Sequence, residues 1–249
     1  MGSRYFFINF LPPLSLDTTP EMSLDEVEFF MHQNLSSSEM RVVNRLYTFF
    51  DLENIRSFLL DLPMKVQGTI PHDALRDMLE NDECPLPALE KFFTCYPTLE
   101  ERKSHVHDLL SSFFQGQPHS LPRFVAQYFR IENTSRSLMA YLRAQALGKT
   151  YEINAEDLGF DPADNKSWPE IFSPLFTLWQ ARRQSPLDLE QAYASWKFDV
   201  IDSLTAQSAP FSLDLGLAYL LQLHLIESRR ELKKPAQQNI LERIAKAVQ

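Results

Sequence analysis

Two short runs along the chain place an acid beside an amide in the same setting. Asp51-Leu52-Glu53-Asn54, followed by Ile55 and Arg56, and Arg130-Ile131-Glu132-Asn133 each fall in the middle of a long helical pattern. A weaker third echo over residues 197–203 carries Asp199 and Asp202. Burying a polar group without a partner costs about 1–3 kcal/mol. Two readings of Glu53-Asn54 and Glu132-Asn133 therefore stand side by side. They form a solvated polar face, or they are held by hydrogen bonds to a neighbouring repeat and set its register. Neither reading makes them catalysts.

Other residues with chemical potential have unfavourable spacing. His105, His107 and Asp108 suggest a metal site, but positions i and i+2 of a helix lie about 200° apart around the axis, whereas zinc-binding helices use i and i+4. Cys84 and Cys95 are not in CxxC spacing, and in a chain without a secretory leader they point to a reduced, cytoplasmic setting. Within its apolar run, His224 reads as a hydrogen-bonded core histidine. No GxSxG elbow or HExxH occurs, and the pair Asp25 and Glu26 suits the first turn of a helix, where acids complement the dipole.

Composition narrows the classes further. The chain has 249 residues, of which 44% are hydrophobic and 23% charged, and this is the balance of a folded protein. Only 6 are glycine, so there is little material for phosphate-cradling loops, and neither GxGxxG nor GxxxxGK occurs. A net charge of -9 argues against nucleic acid as a partner, because that affinity rests on neutralising phosphates. The expectation is a protein with no cofactor, no metal and no nucleic-acid ligand. The most apolar segment, 211–226, is shorter than a bilayer span and holds Asp214 and His224, so it reads as a core helix.

The elements that position the acid–amide runs are helices. Ser23 with Glu26, Ser36 with Glu39, and Thr98 with Glu101 are capping boxes. The second opens a central helix with an early stripe of Val42, Leu46 and Phe49, then Leu52, Ile55, Leu59 and Leu62, stopped by Pro63. The third opens one helix with core positions Val106, Leu109, Leu110, Phe113 and Phe114, closed by Gly116 and Pro118. A second long helix is expected over 122–147 with Gly148 as its stop, and Pro174 should kink or break the helical pattern around it. Residues 4–17 are open between a strand and a first helical turn. From 235 to 248, Ile240, Leu241, Ile244 and Val248 fall on one helical face; Lys233, Lys234, Arg243 and Lys246 add to Arg229 and Arg230 in a basic end.

Four segments, taken in order, resemble a known family: RYFFINFLPPLSLD at 4–17, FFDLENIRSFLL at 49–60, FRIENTSRSLMAYLRAQALG at 129–148, and the run from WKFDVIDS through LLQLHLIESR at 196–229. They are similar to bacterial proteins encoded beside V-type ATPase genes in chlamydiae and Bacteroidetes, distant relatives of the C-type stalk subunit of A/V-type ATPases, known as the d-type subunit in eukaryotes. The resemblance implies an all-α, funnel-like protein of pseudo-repeated helical bundles. Residues 1–158 would hold the first and second repeats, 159–169 a polar connector, and 170–249 a third, truncated repeat. It implies a noncatalytic adaptor between the D-type and F-type subunits of the central stalk and the membrane proteolipid ring, peripheral on the inner face of the plasma membrane. The interaction candidates are Asp51, Glu53, Asn54, Arg56, Arg130, Glu132, Asn133, Asp199 and Asp202. The alternative of a different class is a free-standing helical scaffold or effector that binds another protein.

Overall fold

A computed structural model describes residues 2–62, 64, 68–115, 121–151, 158–206 and 208–232. The protein is all-α, with no strand among the described residues. The helices are α1 (Gly2–Phe10), α2 (Leu24–Asn34), α3 (Ser37–Leu59), α4 (His72–Glu80), α5 (Glu90–Cys95) behind a 3-10 turn at Pro87–Leu89, α6 (Leu99–Ser104), α7 (Val106–Gln115), α8 (Arg123–Ala146), α9 (Ser173–Arg182), α10 (Pro186–Thr205) and α11 (Leu213–Leu232).

Local signals start and stop these helices. Ser23, Ser36 and Thr98 each accept from the backbone three residues on while Glu26, Glu39 and Glu101 bond back, so all three expected capping boxes form. Ser185 caps α10 by accepting from the Asp188 amide. After α8, Gly148 takes a φ of 65°, and the Lys149 amide reaches the Ala144 carbonyl. The stop after α3 is Asp61, at a φ of 54°, with the Leu62 amide bonded to the Ser57 carbonyl. Pro63, Gly116 and Pro118 lie outside the described residues.

Of the two alternatives open for residues 4–17, the helix forms over 2–10, with Phe7 buried against the start of α11. Other expectations need correction. The helix opened by Thr98 is broken at His105, whose ring stacks on Tyr96 and whose Nδ1 lies 2.9 Å from the Glu101 carbonyl, separating α6 from α7. Pro174 does not interrupt a helix. It sits in the first turn of α9, where the missing amide has no partner to lose. The early stripe of α3 runs through Met40, Val43, Leu46 and Tyr47, with Val42 only half-buried.

Two hydrophobic cores result. The larger gathers α1 to α5, α7, the first half of α8 as far as Phe129, and the middle of α11. The second comprises Leu138, Met139 and Leu142 of α8 with α9 and α10. The stretch 159–169 packs into this second core through Trp168, with Phe160 beside it. Helix α8 thus belongs to both cores, and its residues between Phe129 and Leu138 form the seam.

Candidate functional site

The seam is where the acid–amide runs meet. α3 brings Glu53 and α8 brings Glu132 to the guanidinium of Arg136, and α10 brings Lys197 to the Glu132 carboxylate. Arg136 Nη1 lies 2.9 Å from Glu53 Oε1, and Nη2 lies 2.5 Å from Glu132 Oε1. Arg136 Nε also donates to Glu132 at 2.6 Å, making the contact two-pronged. Lys197 Nζ stands 3.5 Å from the same carboxylate and 4.9 Å from the Tyr193 ring centroid. Ser135, one turn along, bonds the Tyr193 hydroxyl at 2.7 Å. Ser135 therefore faces α10.

Burial and charge oppose each other here. Burial pushes the Glu132 carboxyl up, but Arg136 and Lys197 outweigh it and hold the group below the ordinary carboxylate range. Burial likewise works against the charge on Arg136, and Glu132 with Glu53 overcomes it, leaving that pKa well above its usual value. Arg56 is shifted the other way: burial, then repulsion from Arg136, lowers it. With Glu53 and Glu132 both buried and facing cations, the arrangement locks three helices together.

The neighbouring candidates have separate tasks. Asp51 is fully buried and accepts from the Thr69 amide at 3.0 Å, the Thr69 hydroxyl and the Ile70 amide at 3.1 Å, fixing the turn that enters α4. Burial raises its pKa, and the Thr69 hydrogen bonds only partly offset that. Gly68 belongs to the same device, because a Cβ there would collide with Asp51 Oδ1 and fall 2.6 Å from the Tyr47 carbonyl oxygen. Asn54 is buried, with Nδ2 3.3 Å from His72 Nε2. Asn133 is half-buried, and Arg130 and Asp199 are exposed, so none of these three joins the network. Asp202 is exposed and accepts from Gln222 at 2.6 Å, tying α10 to α11. His224 is buried and stacked on Phe50, with centroids 3.7 Å apart.

Sequence reasoning missed Arg136 and Arg102. Arg136 carried a legible signal, an i+4 spacing from Glu132. Arg102 carried none. It is fully buried, donating to the Tyr96 carbonyl at 2.9 Å and to Asp82 at 2.6 Å, with its guanidinium 4.4 Å from the Phe93 centroid. Among the described residues no three His, Cys, Asp or Glu side chains gather as metal ligands. Both cysteine thiols are free.

Two surface features remain. Phe6 and Phe10, one turn apart on α1, are 70% and 62% exposed, and Phe29 on α2 is 60% exposed. Phe30 joins them, lying 5.1 Å from Phe10 and 5.9 Å from Phe29 between centroids. A groove of about 760 Å³ runs between α9 and α10. Among the described residues no helix is long and apolar enough to cross a membrane.

The model of the family described as "Protein of unknown function (DUF2764)" matches residues 1–249, and the chain belongs to that family. A protein of Chlamydia pneumoniae is 24% identical over 226 residues, which are 84% of this chain and 85% of that protein. One from Chlamydia trachomatis serovar D is 28% identical over 164 residues, 63% of this chain. One from Chlamydia muridarum is 26% identical over 163 residues, also 63% of this chain. In both of these last two the match spans 61% of the relative's length. All three bear the name "Uncharacterized protein". No solved structure matches the chain significantly.

Proposed function

We propose that this member of the family is a noncatalytic adaptor of a V-type ATPase, joining the rotary stalk, through subunits of the D and F kind, to the membrane proteolipid ring. The ordered resemblance of the segments at 4–17, 49–60, 129–148 and 196–229 supports the assignment. The observation that carries its mechanism is the shared guanidinium of Arg136. An adaptor in a rotary machine must pass force between its ends without shearing internally. Here the two cores are joined by a continuous helix, α8, and pinned at the seam by buried charges from α3, α8 and α10. Moving one core against the other separates charges in a low-dielectric setting, which is costly.

The aromatic face of α1 and α2 supplies a surface for a partner. Monomeric proteins rarely leave such residues clustered in water. The exposed Glu21, Asp25 and Glu26 of the same region make its surround acidic. That favours a protein with a basic rim over an anionic lipid surface. On this reading the chain is peripheral to the membrane through the complex.

Co-expression with the stalk and ring subunits tests the assignment. The protein should sediment with membranes when the full complex is present and be released with the stalk. Finding it unattached beside a complete complex removes the adaptor and leaves the free-standing scaffold, which the same aromatic face would serve.

A further inference from the structure

We propose that the groove between α9 and α10 receives an amphipathic α-helix of a partner protein, with basic residues at one end of that helix and acidic residues at the other. The groove shares no residue with the aromatic face of α1 and α2, and its occupant does not depend on the ATPase reading. α9 is apolar on two sides. Leu175 and Trp179, one turn apart, are buried in the second core. Pro174 and Leu178, also one turn apart, line the groove, and Ile171 extends their stripe. Across from them α10 places Ala192, Trp196 and Val200 at intervals of four. A helix that is apolar around most of its circumference is normally buried on more than one side. Here Pro174 is exposed and Leu178 only half-buried.

Walls of this kind select a helix. Both walls are helices themselves, so an extended segment would find no strand edge to bond with. A helix satisfies its own backbone and needs only an apolar stripe to fill the groove. α9 has 10 residues, or about 15 Å, so an occupant of roughly ten to fourteen residues matches its length.

Charge specifies the two ends. The short link at 183–185 makes α9 and α10 antiparallel, and Trp196 Nε1 donates to the Ile171 carbonyl at 3.0 Å, which fixes their register. Arg182 therefore lies at the linked end of the groove, and Glu170 and Asp199 lie at the open end. All three are exposed, and none forms an ion pair among the described residues. Arg229 lines the groove as well but is engaged with Asp17 at 3.5 Å. The occupant's basic end meets Glu170 and Asp199, and its acidic end meets Arg182. The same two acids disfavour an anionic lipid surface. Asp199, which has no role in the seam, gains one here.

A synthetic helical peptide of roughly fourteen residues, with a leucine stripe, glutamates in its first turn and lysines in its last, is the probe. Titrated into the full chain by calorimetry, it should bind with a Kd below about 100 μM. A control peptide with the lysines replaced by glutamates should bind at least about tenfold more weakly. Glu170→Lys/Asp199→Lys should reverse that order. Leu178→Arg, which fills the groove, should abolish binding of both peptides, and Ala192→Arg takes its place if circular dichroism shows lost helicity. Phe6→Ser/Phe10→Ser should bind the probe as the unmodified chain does. No binding up to about 1 mM overturns the proposal, and so does binding that ignores the groove and charge variants. Binding lost in Phe6→Ser/Phe10→Ser also overturns it, by moving the helix to the aromatic face. A dimer of the unmodified chain in sedimentation that Leu178→Arg disperses overturns it too, and makes a second copy the occupant.

Discussion

Glu53 and Glu132, the equivalent acids of the two acid–amide runs, share one guanidinium: Arg136 stands 2.9 Å from the first and 2.5 Å from the second. The likeness of the two runs thus has a spatial counterpart. Lys197, which opens the third echo, completes the set against Glu132.

Arg136→Met should be the most damaging single change at the seam. It takes away the guanidinium that two buried carboxylates share, and removing one partner of a buried pair costs about 3–5 kcal/mol. Glu53→Gln should cost distinctly less, because Arg136 keeps its two-pronged bond to Glu132. Urea midpoints of the two variants check the order, and equal midpoints would deny the guanidinium its central place.

The same network has a pH signature. Glu132 is held below its ordinary value of 4.5 in the folded protein. A carboxyl depressed by folding contributes stability that is fully present above the unfolded pKa and is lost as pH falls through the folded one. Stability should therefore decline as pH drops below about 4.5, and Glu132→Gln should flatten this part of the profile. Urea midpoints measured from pH 6 to pH 3, about the usual carboxylate range, give the comparison.

Asn54 and Asn133 occupy equivalent positions in the two runs but differ in surroundings. Asn54 is fully buried beside His72, whereas Asn133 is half-buried. Asn54→Leu should cost about 1–3 kcal/mol by stranding its partner. Asn133→Leu should stay within about 0.5 kcal/mol. A similar loss in both would show that the second amide also sets register.

Gly68→Ala tests the turn that Asp51 organises. The added methyl meets a backbone oxygen at 2.6 Å, and backbone yields less readily than the end of a side chain. Overpacking of this kind costs about 1–3 kcal/mol. The loss should shrink when Gly68→Ala is combined with Asp51→Ala, since one of the two clashing groups is then gone. A thermal-melt double-mutant cycle reads that coupling.

Much of the fold was legible because its signals are local. Ser23, Ser36, Thr98 and Gly148 act on amides and carbonyls within a few residues of themselves, so each marked a helix end correctly. His105 and Pro174 were misjudged because their effect depends on tertiary neighbours: Tyr96 stacking in one case, the position of a helix start in the other. At the seam, the acids stood out as polar residues in apolar helices. Their partner Arg136 stands four residues after Glu132, which marks that contact in the sequence, whereas its contact with Glu53 shows only when α3 and α8 are laid side by side. Arg130 and Asp199, singled out by analogy between the runs, fall on exposed faces, because a repeated motif fixes a position in a helix and not the direction of its neighbours.

The aromatic face carries the last prediction. Phe6, Phe10 and Phe29 are more than half exposed, so replacing them by Ser removes little buried area. The variant Phe6→Ser/Phe10→Ser should keep the helicity of the parent and a urea midpoint close to it. If the face is where a partner binds, the same variant loses anchors of the type that dominate interfaces, worth about 2 kcal/mol or more each. Affinity for the partner complex should then fall by well over about tenfold, since about 1.4 kcal/mol is one decade. Glu21→Lys/Asp25→Lys, which reverses the acidic surround without touching the rings, should slow association and weaken its salt dependence. Pull-down and surface-binding kinetics against stalk and ring subunits measure both effects. Unchanged binding in both variants would move the partner surface elsewhere on the molecule and leave these phenylalanines without a part in assembly.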